Sequence, residues 1–368
     1  MSIAINGTNG ITFNDGSLQP SAPVGKNRII NGNMAIDQRT TTQTGNGYSV
    51  DRWAIYDNTS ATYTLAQDSS APTGFINSLK FTTTGTDTSI GSTEQCVIYH
   101  QIEGYNITDL NWGTANAKTV TLSFYVRSSL TGTFAGSLGN NGYARSYPFT
   151  YTISSADTWE QKTITITGDT TGTWLTTNGV GISLRLAIAA GSSFEATAGA
   201  WDSGNYFSVS GATNVVGTAS STFYITGVQL EANTTATPFE HLQYGQQLAL
   251  CQRYFEKSAA QDVSITTALT TSWIICVYST TVSNSQNYAN CKYSVTKRTT
   301  PTVSIYPYAT PTNLGRVSSD TGVDFGANSG FVNTGYDQGF SVANNTGGTL
   351  TTGAQKQFIG NWYAEAEL

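Results

Sequence analysis

The sequence predicts an all-β protein: a long antiparallel β-sandwich, a short linking α-helix and a smaller C-terminal β-sandwich. Three observations carry this. Charged residues make up only 11% of the 368, against roughly 25% in ordinary globular chains, while glycine (37 residues) and aromatics (11%) are abundant. Period-two alternation of apolar and polar residues recurs along most of the chain, with Gly, Asn and Pro separating the runs. One stretch, 241–258, switches to helical spacing and divides the β-pattern in two. A chain of this length is expected to build two cores.

Residues 1–26 form a Gly/Asn-rich lead. Asn6-Gly7, Asn9-Gly10 and Asp15-Gly16 favour the left-handed conformations of tight hairpin turns, and they punctuate short runs holding Ile3, Ile5, Ile11 and Phe13. Such a segment buries no core of its own. It is expected to be an attachment segment that needs a partner.

Residues 27–240 hold the longer sandwich. Over 119–127, Val120, Leu122, Phe124 and Val126 fall on one face, with Thr119, Thr121, Ser123, Tyr125 and Arg127 on the other. Over 180–189 the inward set is Val180, Ile182, Leu184, Leu186 and Ile188; 159–167 repeats the pattern through Ile164 and Ile166, and 222–231 closes the series. No long helical crossover separates these strands, as a parallel sheet would require.

Within 241–258, Tyr244, Leu248, Cys251 and Phe255 are spaced 4-3-4, a single apolar stripe on a helix of about 14 residues. A helix this short is marginal alone. The stripe must therefore pack either on the chain's own sandwich or on a symmetry axis as an oligomer interface. Beyond it, 259–368 returns to short alternating runs, the second sandwich.

Seventeen Lys and Arg against 23 Asp and Glu give a net charge of −6, with the basic residues scattered, so no nucleic-acid surface is expected. No apolar run approaches the roughly 20 residues of a membrane helix, and no membrane insertion is expected. The start of the chain lacks a charged region followed by an apolar one, which predicts synthesis in the cytoplasm without a signal peptide. Cys96, Cys251, Cys276 and Cys291 show no metal or disulfide spacing and read as buried thiols. His100 and His241 likewise read as structural, and no metal or cofactor is expected from the residues.

Binding is better supported than catalysis. Trp112, Tyr143, Tyr147, Trp201 and Tyr206 lie in segments with little strand pattern, where ring faces suit the apolar faces of sugars. Tyr306, Tyr308 and Tyr336 offer a second platform in the C-terminal part. The plainer reading is that each ring caps the end of a core. Glu94 with Glu103, or Asp320 with Asp324, would be the carboxylate pairs of a glycosidase.

Asn27-Arg-Ile-Ile-Asn-Gly-Asn33, Val50-Asp-Arg-Trp53, Ser123-Phe-Tyr-Val-Arg127, Trp159-Glu-Gln-Lys-Thr-Ile-Thr-Ile166 and Phe223-Tyr-Ile-Thr-Gly-Val-Gln-Leu-Glu231 occur in the order seen in galactose-binding-like carbohydrate-binding modules. Residues 27–231 resemble that jelly-roll family. The resemblance implies a jelly-roll sandwich and a structural calcium near the first and last strands, where this chain has Asn33 and Thr226-Gly227.

A second resemblance spans the whole chain. Ile11-Thr-Phe-Asn-Asp-Gly-Ser-Leu-Gln19, Arg28-Ile-Ile-Asn-Gly-Asn-Met-Ala-Ile-Asp-Gln-Arg39, Pro238-Phe-Glu240, Leu248-Ala-Leu-Cys-Gln-Arg-Tyr-Phe-Glu-Lys257 and Trp362-Tyr-Ala-Glu-Ala-Glu-Leu368 resemble bacteriophage tail-fibre and adhesin proteins. This implies a homotrimeric virion fibre on the tail or another external appendage, attached to other virion proteins through 1–26, that contacts host-surface glycan without catalysis. The alternatives are a head fibre or capsid or tail decoration protein with a purely structural role, and a glycan depolymerase.

Overall fold

A computed structural model describes residues 4–6, 10–12, 18–19, 25–261, 263–264, 287–307, 314–316, 318–319, 331–344 and 358–368. Two antiparallel sheets form the larger body. One runs in the order Ser146–Ile153, Gly132–Gly139, Val180–Ala190, Gln95–Glu103, Trp53–Asp57 and Gly47–Tyr48; the other in the order Glu160–Ile166, Val120–Ser128, Thr222–Glu231, Ser78–Gly85 and Thr62–Asp68. The chain changes sheet after nearly every strand or hairpin, which makes the sandwich a jelly roll.

The alternation read from the sequence sets the core between the sheets. Val120, Leu122, Phe124 and Val126 are all 0–1% exposed, and Ile182, Leu184, Leu186 and Ile188 meet them from the opposite sheet. The lead at the sequence start is a three-stranded antiparallel meander of Ala4–Asn6, Gly10–Thr12 and Leu18–Gln19.

Two glycines are required where the last strand meets the chain entry. Gly227 has φ +62°, and a Cβ there would lie 2.7 Å from the Phe75 ring. Gly32 lies so close to Val228 that a Cβ would sit 2.0 Å from its carbonyl oxygen, and the Val228 N–H donates to Gly32 O at 2.9 Å. Asn31 turns the chain here in the left-handed conformation, and its side chain takes the Ile36 N–H at 3.0 Å while donating to Ile36 O and Asp51 O. The motif 27–33 is thus a structural clasp.

The helix is shorter than its spacing suggests. It covers Tyr244–Gln252, and Phe255–Lys257 instead forms a strand paired with Phe358–Glu365. The reason is the burial offered to Tyr254 and Phe255, 0% and 1% exposed, which an onward helix would not provide. Phe358–Glu365 also pairs with Thr302–Pro307 and Ser318–Ser319, and a second small sheet joins Asn287–Lys292, Gly339–Asn344 and Phe331–Tyr336. The two share a core of Tyr293, Ile305, Phe340, Val342, Trp362 and Ala364, a smaller sandwich. Among the described residues no helix is long and apolar enough to cross a membrane.

Candidate functional site

Strand alternation that fills the core also decorates the outer face of the six-stranded sheet. In Gln95–Glu103, Cys96, Ile98 and Ile102 point into the core, which turns Gln95, Val97, Tyr99 and Gln101 outward. In Val180–Ala190 the inward leucines and isoleucines leave Arg185 on the same outer face, in register with Tyr99. Tyr99 pairs on its other side with Ala54, and Val97 with Tyr56. This outer face carries a groove of about 260 Å³. Its floor is Gln95, Val97, Tyr99, Gln101 and Arg185; Tyr56, Tyr143, Asn205 and Leu368 complete the walls.

Neighbouring elements close one side. Phe207, Phe194, Val209 and Ala212 pack on Val97, Ala135 and Ala187, so the loop around them covers part of the outer face. Arg185, only 3% exposed, fastens that loop. Its Nε donates to Ser137 Oγ at 3.1 Å, its Nη1 to Asn205 Oδ1, and its Nη2 to the Tyr206 carbonyl at 3.0 Å. The guanidinium lies 4.1 Å from the centre of the Tyr143 ring and 5.0 Å from that of Phe207. Burial pushes the Tyr99 phenol up to about 12, so it stays a neutral hydrogen-bonding group at ordinary pH. The Gln101 Oε1 is buried without a hydrogen-bond partner among the described residues.

Of the aromatics expected to bind sugar, three go elsewhere. Trp112, Tyr147 and Trp201 gather with Trp174 into an edge-to-face cluster, with centroids 4.7 Å apart for Trp112 and Trp174 and 5.3 Å for the contacts of Trp201. The indole N–H groups of Trp112, Trp174 and Trp201 are spent on the carbonyls of Lys118, Thr171 and Thr167. This cluster caps the core, as the plainer reading had it. Tyr143 does line the groove, and Tyr206 reaches it only through its carbonyl. In the smaller sandwich Tyr306 is buried, Tyr336 is 66% exposed, and Tyr308 lies outside the described residues. Sequence reasoning missed Tyr56, Tyr99, Gln101, Arg185 and Asn205. An arginine between two inward leucines, Leu184-Arg185-Leu186, was the signal for the decorated face.

The apolar stripe is used within one chain. Cys251 is fully buried against Ile30, Ile36 and Tyr254, with Leu248 and Leu368 packed alongside. Phe255 lies under the Arg39 guanidinium at 3.8 Å and beside Tyr363. Tyr244 alone of the four is exposed, at 56%. For Cys251 and Phe255 the expected intersubunit role gives way to a brace, because their partners come from the same molecule.

The carboxylate pair Glu94 and Glu103 flanks the length of one strand, so the two stand about 30 Å apart, beyond the roughly 5–10 Å that glycosidases use. Glu103 is engaged by Arg253 and Tyr254. Asp320 and Asp324 lie outside the described residues. His100 is buried, with Nε2 bonded to Ile30 O at 3.0 Å, and burial together with Arg52 holds its pKa well below the ordinary range. His241 is exposed beside Phe75 and Phe239. Cys96 and Cys251 are buried free thiols and Cys291 is half-buried; Cys276 lies outside the described residues. For the implied calcium, the Thr226 hydroxyl donates to Asn77 O at 2.7 Å, and no group of three or more His, Cys, Asp or Glu is placed to hold a metal among the described residues. Asn33 Oδ1 is buried without a hydrogen-bond partner among the described residues.

No family model matches this chain, and no curated protein does. Among solved structures it is similar to a putative sugar binding protein from Bacteroides thetaiotaomicron, at 11% identity and a TM-score of 0.33, covering 56% of this chain and 100% of that one. It is also similar to a family 11 carbohydrate-binding module from Clostridium thermocellum in complex with a mixed-linked tetrasaccharide, at 13% identity and a TM-score of 0.29, covering 52% and 91%. A third is the enzymatically active domain of bacteriophage CBA120 tailspike protein 4, at 9% identity and a TM-score of 0.32. That match covers 56% of this chain and 22% of the tailspike chain. At these scores the likenesses carry no functional argument.

Proposed function

We propose that this chain binds glycan in the groove over Tyr99 and that, in keeping with its sequence resemblance, it does so as a fibre or adhesin of a phage virion on the host surface. The observation that carries the reading is the groove's lining. Aromatic rings of Tyr56, Tyr99 and Tyr143 stand with the amides of Gln95, Gln101 and Asn205, a pairing of apolar faces and hydroxyl partners that suits a pyranose. Among the described residues no Asp or Glu side chain lines it, so it presents no side-chain carboxylate pair of the kind glycosidases use, which favours holding a sugar over hydrolysing one.

Calorimetry with oligosaccharides from host surface polysaccharide tests this, together with blocking of phage adsorption by the purified protein. The expected result is saturable binding that Tyr99→Ala reduces at least roughly tenfold, since stacking and hydrogen bonding at one aromatic contribute on the order of 1–2 kcal/mol. A folded protein that neither binds nor blocks is a structural virion component instead. Release of reducing sugar, lost on substituting a single carboxylate, would identify a depolymerase.

A further inference from the structure

We infer that the groove selects acidic sugars, with Arg185 as the residue that receives the carboxylate of a uronate or sialate unit; this rests on the glycan-binding reading above. Arg185 is a cation removed from water at the bottom of a pocket, an arrangement that is costly unless the charge is partnered. Its acceptors within the chain, Ser137, Asn205 and the Tyr206 carbonyl, are all neutral. A guanidinium has five N–H donors, and these three bonds use three of them. Two remain, on a planar fork held in place by the Tyr143 ring. That fork matches a carboxylate, to which it can donate two parallel hydrogen bonds.

The surroundings agree. Among the described residues no Asp or Glu side chain lines the groove, and Glu367, whose charge reaches Tyr99, is already paired with Arg39 and Arg52; Tyr99, Gln101 and Asn205 offer neutral partners for the ring hydroxyls. Burial draws the Arg185 pKa down to about 10, which leaves it charged at neutral pH. The chain as a whole carries −6, so diffuse attraction cannot produce a preference for anions. Such a preference has to come from a local site.

The rival is that Arg185 only staples the Asn205 loop to the sheet. Calorimetry on the full chain at neutral pH and physiological salt separates the two, with tetragalacturonate against its fully methyl-esterified form, and sialyllactose against its methyl ester. One acid is expected to bind about tenfold or more tightly than its neutral counterpart, the margin of a charge-assisted over a neutral hydrogen bond. The pair that shows the margin names the source of the carboxylate. Arg185→Gln is expected to bind acid and neutral forms within about twofold of each other, and Arg185→Lys to fall between, because it keeps the charge and loses the fork. The wild-type comparison decides even if both variants fail to fold. Equal binding of acid and neutral forms by wild type, or a preference that survives in Arg185→Gln, overturns the acidic assignment alone. Absence of binding by any of the four probes or by host oligosaccharide overturns the glycan reading with it.

Discussion

Glu103 and Tyr254 meet across 151 residues of sequence, the Tyr254 hydroxyl donating to Glu103 Oε2 at 2.7 Å. Arg253 completes the arrangement with two bonds to the same carboxylate, at 2.6 and 2.8 Å. Glu103 ends the strand that floors the groove, and Tyr254 follows the helix. Burial raises the pKa of the Glu103 carboxyl, but the bonds from Arg253 and Tyr254 outweigh it and hold the group below its ordinary 4.5. The groove strand is therefore tied to the segment that leads into the smaller sandwich.

Replacing that carboxylate by an amide should be felt as a loss of stability. Glu103→Gln is expected to lower the unfolding free energy by about 2 kcal/mol, the range of hydrogen bonds to charged groups, seen as a lower urea midpoint with an unchanged slope. The sign with pH follows from the depressed pKa. The contribution is present above about 4.5 and is lost as pH falls through the lower folded value, so the gap between wild type and variant should close in acid. A gap that widens in acid would contradict this account.

A second tie is ionic. Glu367 pairs with both Arg39 and Arg52, whose side chains are 6% and 0% exposed, and Arg52 also donates to the carbonyl of Gln101 on the groove floor. Removing the carboxylate leaves two buried guanidinium groups short of a counter-charge. Glu367→Ala should cost about 3–5 kcal/mol, whereas Glu365→Ala, whose side chain is 42% exposed, should cost about 1 kcal/mol or less. Equal effects in thermal melts would mean that burial is not what makes the first pair matter.

The helical stripe carries a prediction about assembly. Leu248 packs beside Cys251 on Ile30 and Ile36 of the same chain. Leu248→Asp is therefore expected to destabilise the fold by roughly 2–3 kcal/mol, the cost of placing a charge in a partly buried apolar site, without altering the mass measured by light scattering. A drop in mass at an unchanged melting temperature would restore the stripe as an interface between subunits.

Strand alternation made the jelly-roll core legible, because one face of each strand must be apolar whatever its neighbours are. Val120 through Val126 and Ile182 through Ile188 illustrate this. The groove was not legible for the complementary reason. Tyr99, Arg185 and Asn205 come together through strand register and loop packing, and no spacing along the chain encodes that. Aromatic residues in weakly patterned segments misled, since loop rings at a sandwich end are also what seals it. The helix overran for a related reason: 4-3-4 spacing continues through Phe255, but strand pairing with Glu365 claims that residue.

Trp201 and Tyr99 separate these two uses of an aromatic ring. Trp201 packs against Trp112, Trp174 and Tyr147 and donates to the Thr167 carbonyl at 2.7 Å, so Trp201→Ala opens the cap over the core. It is expected to cost about 3 kcal/mol of stability. Oligosaccharide affinity should stay within about twofold of wild type at temperatures where the variant is folded, because the cluster shares no lining residue with the groove. Tyr99→Ala should behave in the opposite way, since its ring lines the groove and, among the described residues, meets another aromatic ring only at the Tyr48 edge, 6.4 Å away. Thermal melts and calorimetry on the two variants read the contrast directly: loss of affinity in Trp201→Ala with the fold intact would move the sugar site to the sandwich end.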